Sequence, residues 1–430
     1  ETIVYGSIQS GLTPFALMML APKNGIFNSP LDSSLSLNIL NLSKPQSNSW
    51  FPITKQSKFI SFKAITAGSP KNKLEKALEA GKETAENAMK GLKNPKIGML
   101  YTSVDYDQAE VMKGVKSVVG DVPVVGCTSS GAIIVPDGII TSENGFAGML
   151  MLDDENMVIG AAGSALKNND ARATGRMVAE EALAKAGLDY APTYYYMVAS
   201  PKEEEYYVKG IQDVIGDVPF FGGSAADNAI AGDWSIFCDD KCYSDGVAVI
   251  FFYTDKPVET VYTGAYHETK NVGVVTKVDG DRKLVEIDGV PALEKYAEWI
   301  GTKPEKLMGG DLLVASITKP LGVKDALGDL VAIRHPMAGN EDLSMNLGNK
   351  IVENTAVIQM EATVDELISS TGNTIKEVNK KLNTPAAYFL VHCGGRKVGI
   401  GDRIEEVHKE LVKTTKGVPF LTIFTFAIYV

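Results

Sequence analysis

The sequence predicts an α/β protein of two domains with mixed α+β sheets, its N-terminal domain an internal duplication of a β-α-β-hairpin unit. Three observations carry this. The chain has 430 residues, about twice a common domain size. From about Lys58 onward, short continuous apolar runs alternate with longer amphipathic ones, as when strands covered on both faces alternate with helices. The chain also repeats itself: "GDVPVVGCTSSGAI" from Gly120 and "GDVPFFGGSAADNA" from Gly216 stand 96 residues apart.

Residues 1–58 are poor in charge and rich in Ser, Asn, Leu and Pro, without clear periodicity. They read as a non-core or disordered extension. Their low charge leaves a short accessory strand layer as the alternative. The run "FALMMLA" is too short to cross a membrane and lacks the basic flank of a signal peptide.

The first domain is expected over residues 59–265. "KFISFKAI" is a strand, and "KNKLEKALEAGKETAENAMKGL" has the composition and apolar spacing of a helix. "KIGMLYT" is a buried strand, and "DQAEVMKGVKSVVG" a helix closed by Gly120. Shifted by 96 residues, "TYYYMVAS" and "EEEYYVKGIQDVIG" take the same places. Further on, "GFAGMLMLDDENMVIGAAG" parallels "GVAVIFFYTDKPVETVYTG", each two strands about a short polar turn. The repeats run over about 96–165 and 192–265. Two copies are too few for a solenoid and point to a pseudo-symmetric pair.

The second domain, 266–430, reads differently. "VGVVTKVDGDRKLVEIDG" is a hairpin about an Asp-Gly turn, followed by the helix "PALEKYAEWIG". "VDELISSTGNTIKEVNKKL" is an amphipathic helix, "AAYFLVHC" a buried strand, "DRIEEVHKELVKTT" a helix and "VPFLTIFTFAIYV" a final strand.

The composition excludes several functions. The net charge is −11 and no dense Lys/Arg run occurs, which speaks against a nucleic-acid or anionic-membrane surface. The cysteines Cys127, Cys238, Cys242 and Cys393 form no C-x-x-C pair and no zinc set. They read as free thiols in the cytoplasm. No nucleophile elbow and no H-E-x-x-H occurs. A Cys nucleophile (Cys127 or Cys393) with one of His267, His335, His392 and His408 is the enzymatic alternative. The leading expectation is a protein without catalysis.

The Gly-rich phrases end predicted strands. Cys127, Thr128 and Ser129 in the first, and Gly222, Gly223, Ser224, Asp227 and Asn228 in the second, gather main-chain N–H groups and small polar side chains fit to hold a polar ligand. The competing reading is two tight turns that cap equivalent strands. Neither phrase is a P-loop or a dinucleotide fingerprint. Arg334 and Arg396 stand just past apolar strands, where a guanidinium suits a carboxylate. An ion pair of Arg396 with Glu405 or Glu406 is the plainer alternative. With Cys393, these residues complete the candidate ligand set. From the residues alone, no cofactor and no metal is expected.

Five phrases in this order, "GDVPVVGCTSSGAI", "GDVPFFGGSAADNA", "VTKVDGDRKLVEIDGVPALEKY", "ITKPLG…LVAIRHPM" and "YFLVHCGGRKVGIG", resemble the FIST proteins, which pair a FIST N with a FIST C domain. The resemblance covers roughly residues 60 to 425. It implies a sensory, small-ligand-binding module of signal transduction, with amino acids the usual suggestion, the carboxylate then on arginine and the ammonium on Asp227. It also implies haem-based nitric oxide sensing in some bacterial members, so that haem is the alternative cofactor with His335, His392 or His267 as axial ligand. It also implies a signalling output such as a kinase, cyclase or receptor, here expected on a separate chain. Ala427-Ile428 stands where members commonly carry a Gly-Glu pair.

Overall fold

A computed structural model describes residues 15–20, 62–65, 73–141, 145–324, 331–382, 385–426 and 428–429. Most of the segment 1–58, and Ala427, lie outside the described residues.

The architecture is mixed α/β, with four sheets among the described residues, three of mixed direction and the fourth antiparallel. Two of them share a plan. In the first, Lys73–Ala88 and Gln108–Val119 are helices, and the strand Pro95–Thr102 between them lies parallel to Val124–Thr128 and antiparallel to Ala147–Asp153, with Phe62–Ile65 beyond. In the second, Ala171–Ala186 and Glu204–Ile215 are the helices. The strand Tyr194–Ala199 is parallel to Phe220–Ser224 and antiparallel to Gly246–Tyr253, with Val158–Ala165 beyond.

The polar turns expected to close hairpins do not close them. Ala147–Asp153 and Val158–Ala165 belong to different sheets, and Val258–Thr263 leaves its neighbour Gly246–Tyr253 for a third sheet. Ala147–Asp153 and Gly246–Tyr253 are buried almost throughout. Each is a central strand paired on both sides, so its next strand has to continue elsewhere.

Glycines set the helix spacing. A Cβ on Gly114 would lie 2.1 Å from the Leu78 carbonyl oxygen, and one on Gly210 2.0 Å from that of Arg172. These equivalent positions bring each helix pair into main-chain contact. Between the two sheets, Tyr101, Tyr196, Phe221 and Phe389 pack as one aromatic group in the largest core. The Tyr101 and Tyr196 hydroxyls are hydrogen-bonded.

The third sheet runs Val258–Thr263, Phe15–Leu20, Ala387–Cys393, Phe420–Thr425, Ala132–Val135, Gly138–Thr141. Phe15–Leu20, from the segment read as an extension, pairs antiparallel with both of its neighbours. Helices Val364–Lys381 and Ile404–Thr415 cover this sheet around Leu390, Ile375 and Leu411. Val364–Lys381 starts with a capping box of Thr363 and Glu366. The fourth sheet is centred on the hairpin His267–Asp279 and Lys283–Ile287, which the "DGD" turn foretold. The helix Ala292–Ile300 packs on it through Leu293 and Tyr296. Among the described residues, no helix is long and apolar enough to cross a membrane.

Candidate functional site

Three parallel strand pairs end close together. They are Pro95–Thr102 with Val124–Thr128, Tyr194–Ala199 with Phe220–Ser224, and Ala387–Cys393 with Phe420–Thr425. Carboxyl ends of parallel strands are where open α/β sheets place ligands.

The first Gly-rich phrase ties these ends together. The Thr128 carbonyl accepts from Ala226 N at 3.0 Å, and its Oγ1 accepts from Ser235 N at 3.0 Å. Ser129 Oγ donates to the Ala132 carbonyl at 2.7 Å and accepts from Phe424 N at 2.9 Å. Both hydroxyls are buried and serve main-chain groups. Cys127 faces the apolar core beside the tyrosine pair, and burial pushes its thiol far up. A nucleophilic thiol needs the opposite shift.

The second phrase divides in its roles. Gly222 is held by packing: a Cβ there would lie 1.8 Å from the Met197 carbonyl oxygen. Gly223 pairs with Val198 and Ile428. Ser224 Oγ donates to Glu204 at 2.7 Å. Asp227 was expected to face an ammonium. Its carboxylate instead accepts from Ala229 N, Ile230 N, Gly232 N and Asp233 N and so shapes its own loop. With four amide donors of its own loop on its two oxygens, this carboxylate has its acceptor sites taken up by the backbone. Asn228 is exposed.

The second domain supplies the cations. Arg334 is 4% exposed. Its Nε donates to the Lys350 carbonyl at 2.8 Å and its Nη1 to that of Ile333 at 3.3 Å. Among the described residues, no carboxylate lies within ion-pairing distance of it. Burial lowers its pKa to about 10, opposed by Tyr262 and, at longer range, Glu205. Arg396 is 1% exposed and is not paired with Glu405 or Glu406. Its Nη2 donates to Ser370 Oγ at 2.5 Å and to the Leu367 carbonyl. Glu406 is held by Arg403 instead.

Cys393 lies near Tyr262, as does Arg334, and near Tyr266, as does Arg396. Its sulfur meets the amides of Gly395 and Arg396, while burial raises its thiol. Burial holds both phenols protonated.

The histidines separate. His267 is exposed beside Glu361 and Glu366. His392 packs on Phe424, with Nδ1 3.1 Å from the Cys393 carbonyl. His335 is 4% exposed, and its Nε2 has no hydrogen-bond partner among the described residues. Its ring edge and the Cys393 sulfur both border Gly395. Burial lowers its pKa to about 4. Among the described residues, no cluster of His, Cys, Asp and Glu has the spacing of a metal site.

Sequence reasoning missed Glu204, Glu205 and Arg282. The two carboxyls are 3% and 6% exposed and share one guanidinium. The only signal was three glutamates at the start of a predicted helix, which reads as a solvated N-terminal turn.

The fold defines a two-domain α/β module. The chain belongs to the FIST family: the FIST N domain model matches residues 96–290 and the FIST C domain model residues 292–427. FIST domains are a sensory domain family of signal transduction. No curated protein matches the chain.

Proposed function

We propose that this protein is a cytoplasmic sensor of a small polar metabolite, with an amino acid as the ligand class and Arg334 as the anchor for its carboxylate. One observation carries the reading: Arg334 is a buried guanidinium with main-chain partners and no paired carboxylate among the described residues. A buried charge without a counter-charge is unfavourable, and an incoming carboxylate relieves it with bidentate geometry. Arg396 is a weaker candidate, because Ser370 and Leu367 already occupy its Nη2. The occupied module would then act on a separate output protein such as a kinase, cyclase or receptor. The test is a thermal-shift panel of the twenty amino acids on wild type and Arg334→Gln. A ligand held by the folded state raises the melting temperature. The expected result is a rise in wild type that Arg334→Gln loses. No rise with any amino acid overturns the reading.

His335 supports a second reading, a haem protein. A buried neutral imidazole with an unpartnered Nε2 is the form that binds iron. Reconstitution with haem tests it: a Soret band lost in His335→Ala supports it, and its absence in wild type dismisses it.

A further inference from the structure

A second group of buried charges lies where the helix Glu204–Ile215 meets the tip of the hairpin at Asp281 and Arg282. Arg282 Nη2 lies 3.1 Å from Glu204 Oε2 and 2.6 Å from Glu205 Oε2. The same guanidinium donates to the Lys202 and Gly348 carbonyls. The free oxygen of Glu204 accepts from Ser224 Oγ at 2.7 Å. That of Glu205 accepts from Lys350 N at 3.3 Å.

The neighbouring lysine does not balance the pair. Lys350 Nζ is engaged by Asp281 at 3.1 Å and by the Tyr206 hydroxyl at 3.1 Å, and Tyr206 also donates to Asp281. The other charged or titratable groups around the pair are Glu203 and Tyr207 on the same helix, Asp245 before Gly246–Tyr253, and Arg334 on the C-terminal sheet. Two buried carboxyls therefore face one guanidinium in direct contact.

We propose that Glu204, Glu205 and Arg282 form a proton-sensitive latch between the second α/β unit and the fourth sheet, closed when Glu204 holds its proton and loosened when it is ionised. With one proton, the charges balance one to one. Without it, two like carboxylates share the single guanidinium in direct contact, which costs stability; Arg334 offsets this only from beyond ion-pairing distance. Burial and the charge of Glu205 push Glu204 up to about 7, partly opposed by Arg282 and Ser224.

The sign follows from the proton count. An unfolded Glu loses its proton near 4.5 and the folded Glu204 near 7. Between these values the folded state holds the extra proton, so stability falls as pH rises through this window and levels off above it. The latch stands whether or not a ligand binds. It also touches the ligand reading, because Lys350 gives its amide to Glu205 and its carbonyl to Arg334.

The test is the melting temperature of the full chain from pH 5 to 8.5, in wild type and Glu204→Gln, which mimics the protonated carboxyl. Taking the difference between the two proteins removes other titrating groups. The expected result is that wild type loses on the order of 5 °C relative to the variant as pH rises from 5 to 7.5. A difference that stays constant with pH, or a variant less stable than wild type at pH 8.5, overturns the latch. Ser224→Ala is the second variant, should Glu204→Gln not fold. Removing the hydroxyl that favours the ionised form should move the levelling-off to higher pH, and an unmoved profile also overturns the proposal.

Discussion

Arg334 and Arg282 are both guanidiniums of the C-terminal sheet, and they should answer to substitution in opposite ways. Arg282 contacts two buried carboxylates directly. Arg282→Met leaves them facing each other without a cation, a loss of about 3 kcal/mol. Arg334 contacts main-chain carbonyls and no carboxylate among the described residues. Arg334→Met removes a desolvated charge along with those hydrogen bonds, and the two effects offset to within about 1 kcal/mol. Urea denaturation near pH 7 separates the two outcomes. Equal losses would mean that Arg334 is a structural cation after all. Asp227 makes the complementary point about reading residues singly. Its place in a Gly-rich phrase suggested a ligand contact, yet four amides of its own loop hold it.

Helices and strands were legible because their apolar spacing is local, and their assembly into sheets was not. The strands "KIGMLYT" and "TYYYMVAS" announce themselves by continuous burial. Nothing local states that Val158–Ala165 crosses to the sheet of Gly246–Tyr253, since a four-residue polar turn also suits a hairpin. The shared strand order of the two sheets is compatible with a duplication, which remains a reading of the sequence. The equivalent glycines give that plan a physical test. Gly114→Ala and Gly210→Ala each drive a methyl into a carbonyl of the partner helix, and each should cost about 2 kcal/mol or more, as overpacking does. Gly310, with ordinary backbone angles and open space where its Cβ would stand, is the control. Gly310→Ala should change the urea midpoint little. If Gly114→Ala were equally harmless, the helices would not meet at that point.

At the scale of the molecule, the polar groups come together only in three dimensions. Arg334 and Cys393 drew attention as residues that end apolar strands, and both lie near Tyr262, one from the fourth sheet and one from the third. Glu204 and Arg282 carried no such mark: a glutamate run and a hairpin tip look solvated until the second unit and the C-terminal sheet close over them. His335 belongs to the same junction and makes a prediction for the whole chain. Its folded pKa lies near 4 because burial opposes its charge, against about 6.5 when unfolded. The unfolded state therefore binds a proton that the folded state refuses, so stability falls as pH drops from 6.5 towards 4. At full development this amounts to about 3 kcal/mol. The trend is opposite to that of the Glu204 pair, whose contribution grows as pH falls. The two are separable because His335→Gln removes one slope and Glu204→Gln the other. Urea midpoints at pH 6.5 and 4.5 are the measurement. Wild type should lose more stability over this interval than His335→Gln does, even if the variant starts lower. Parallel losses would mean that His335 takes up its proton in the folded protein, and that this part of the junction is wetter than its burial implies.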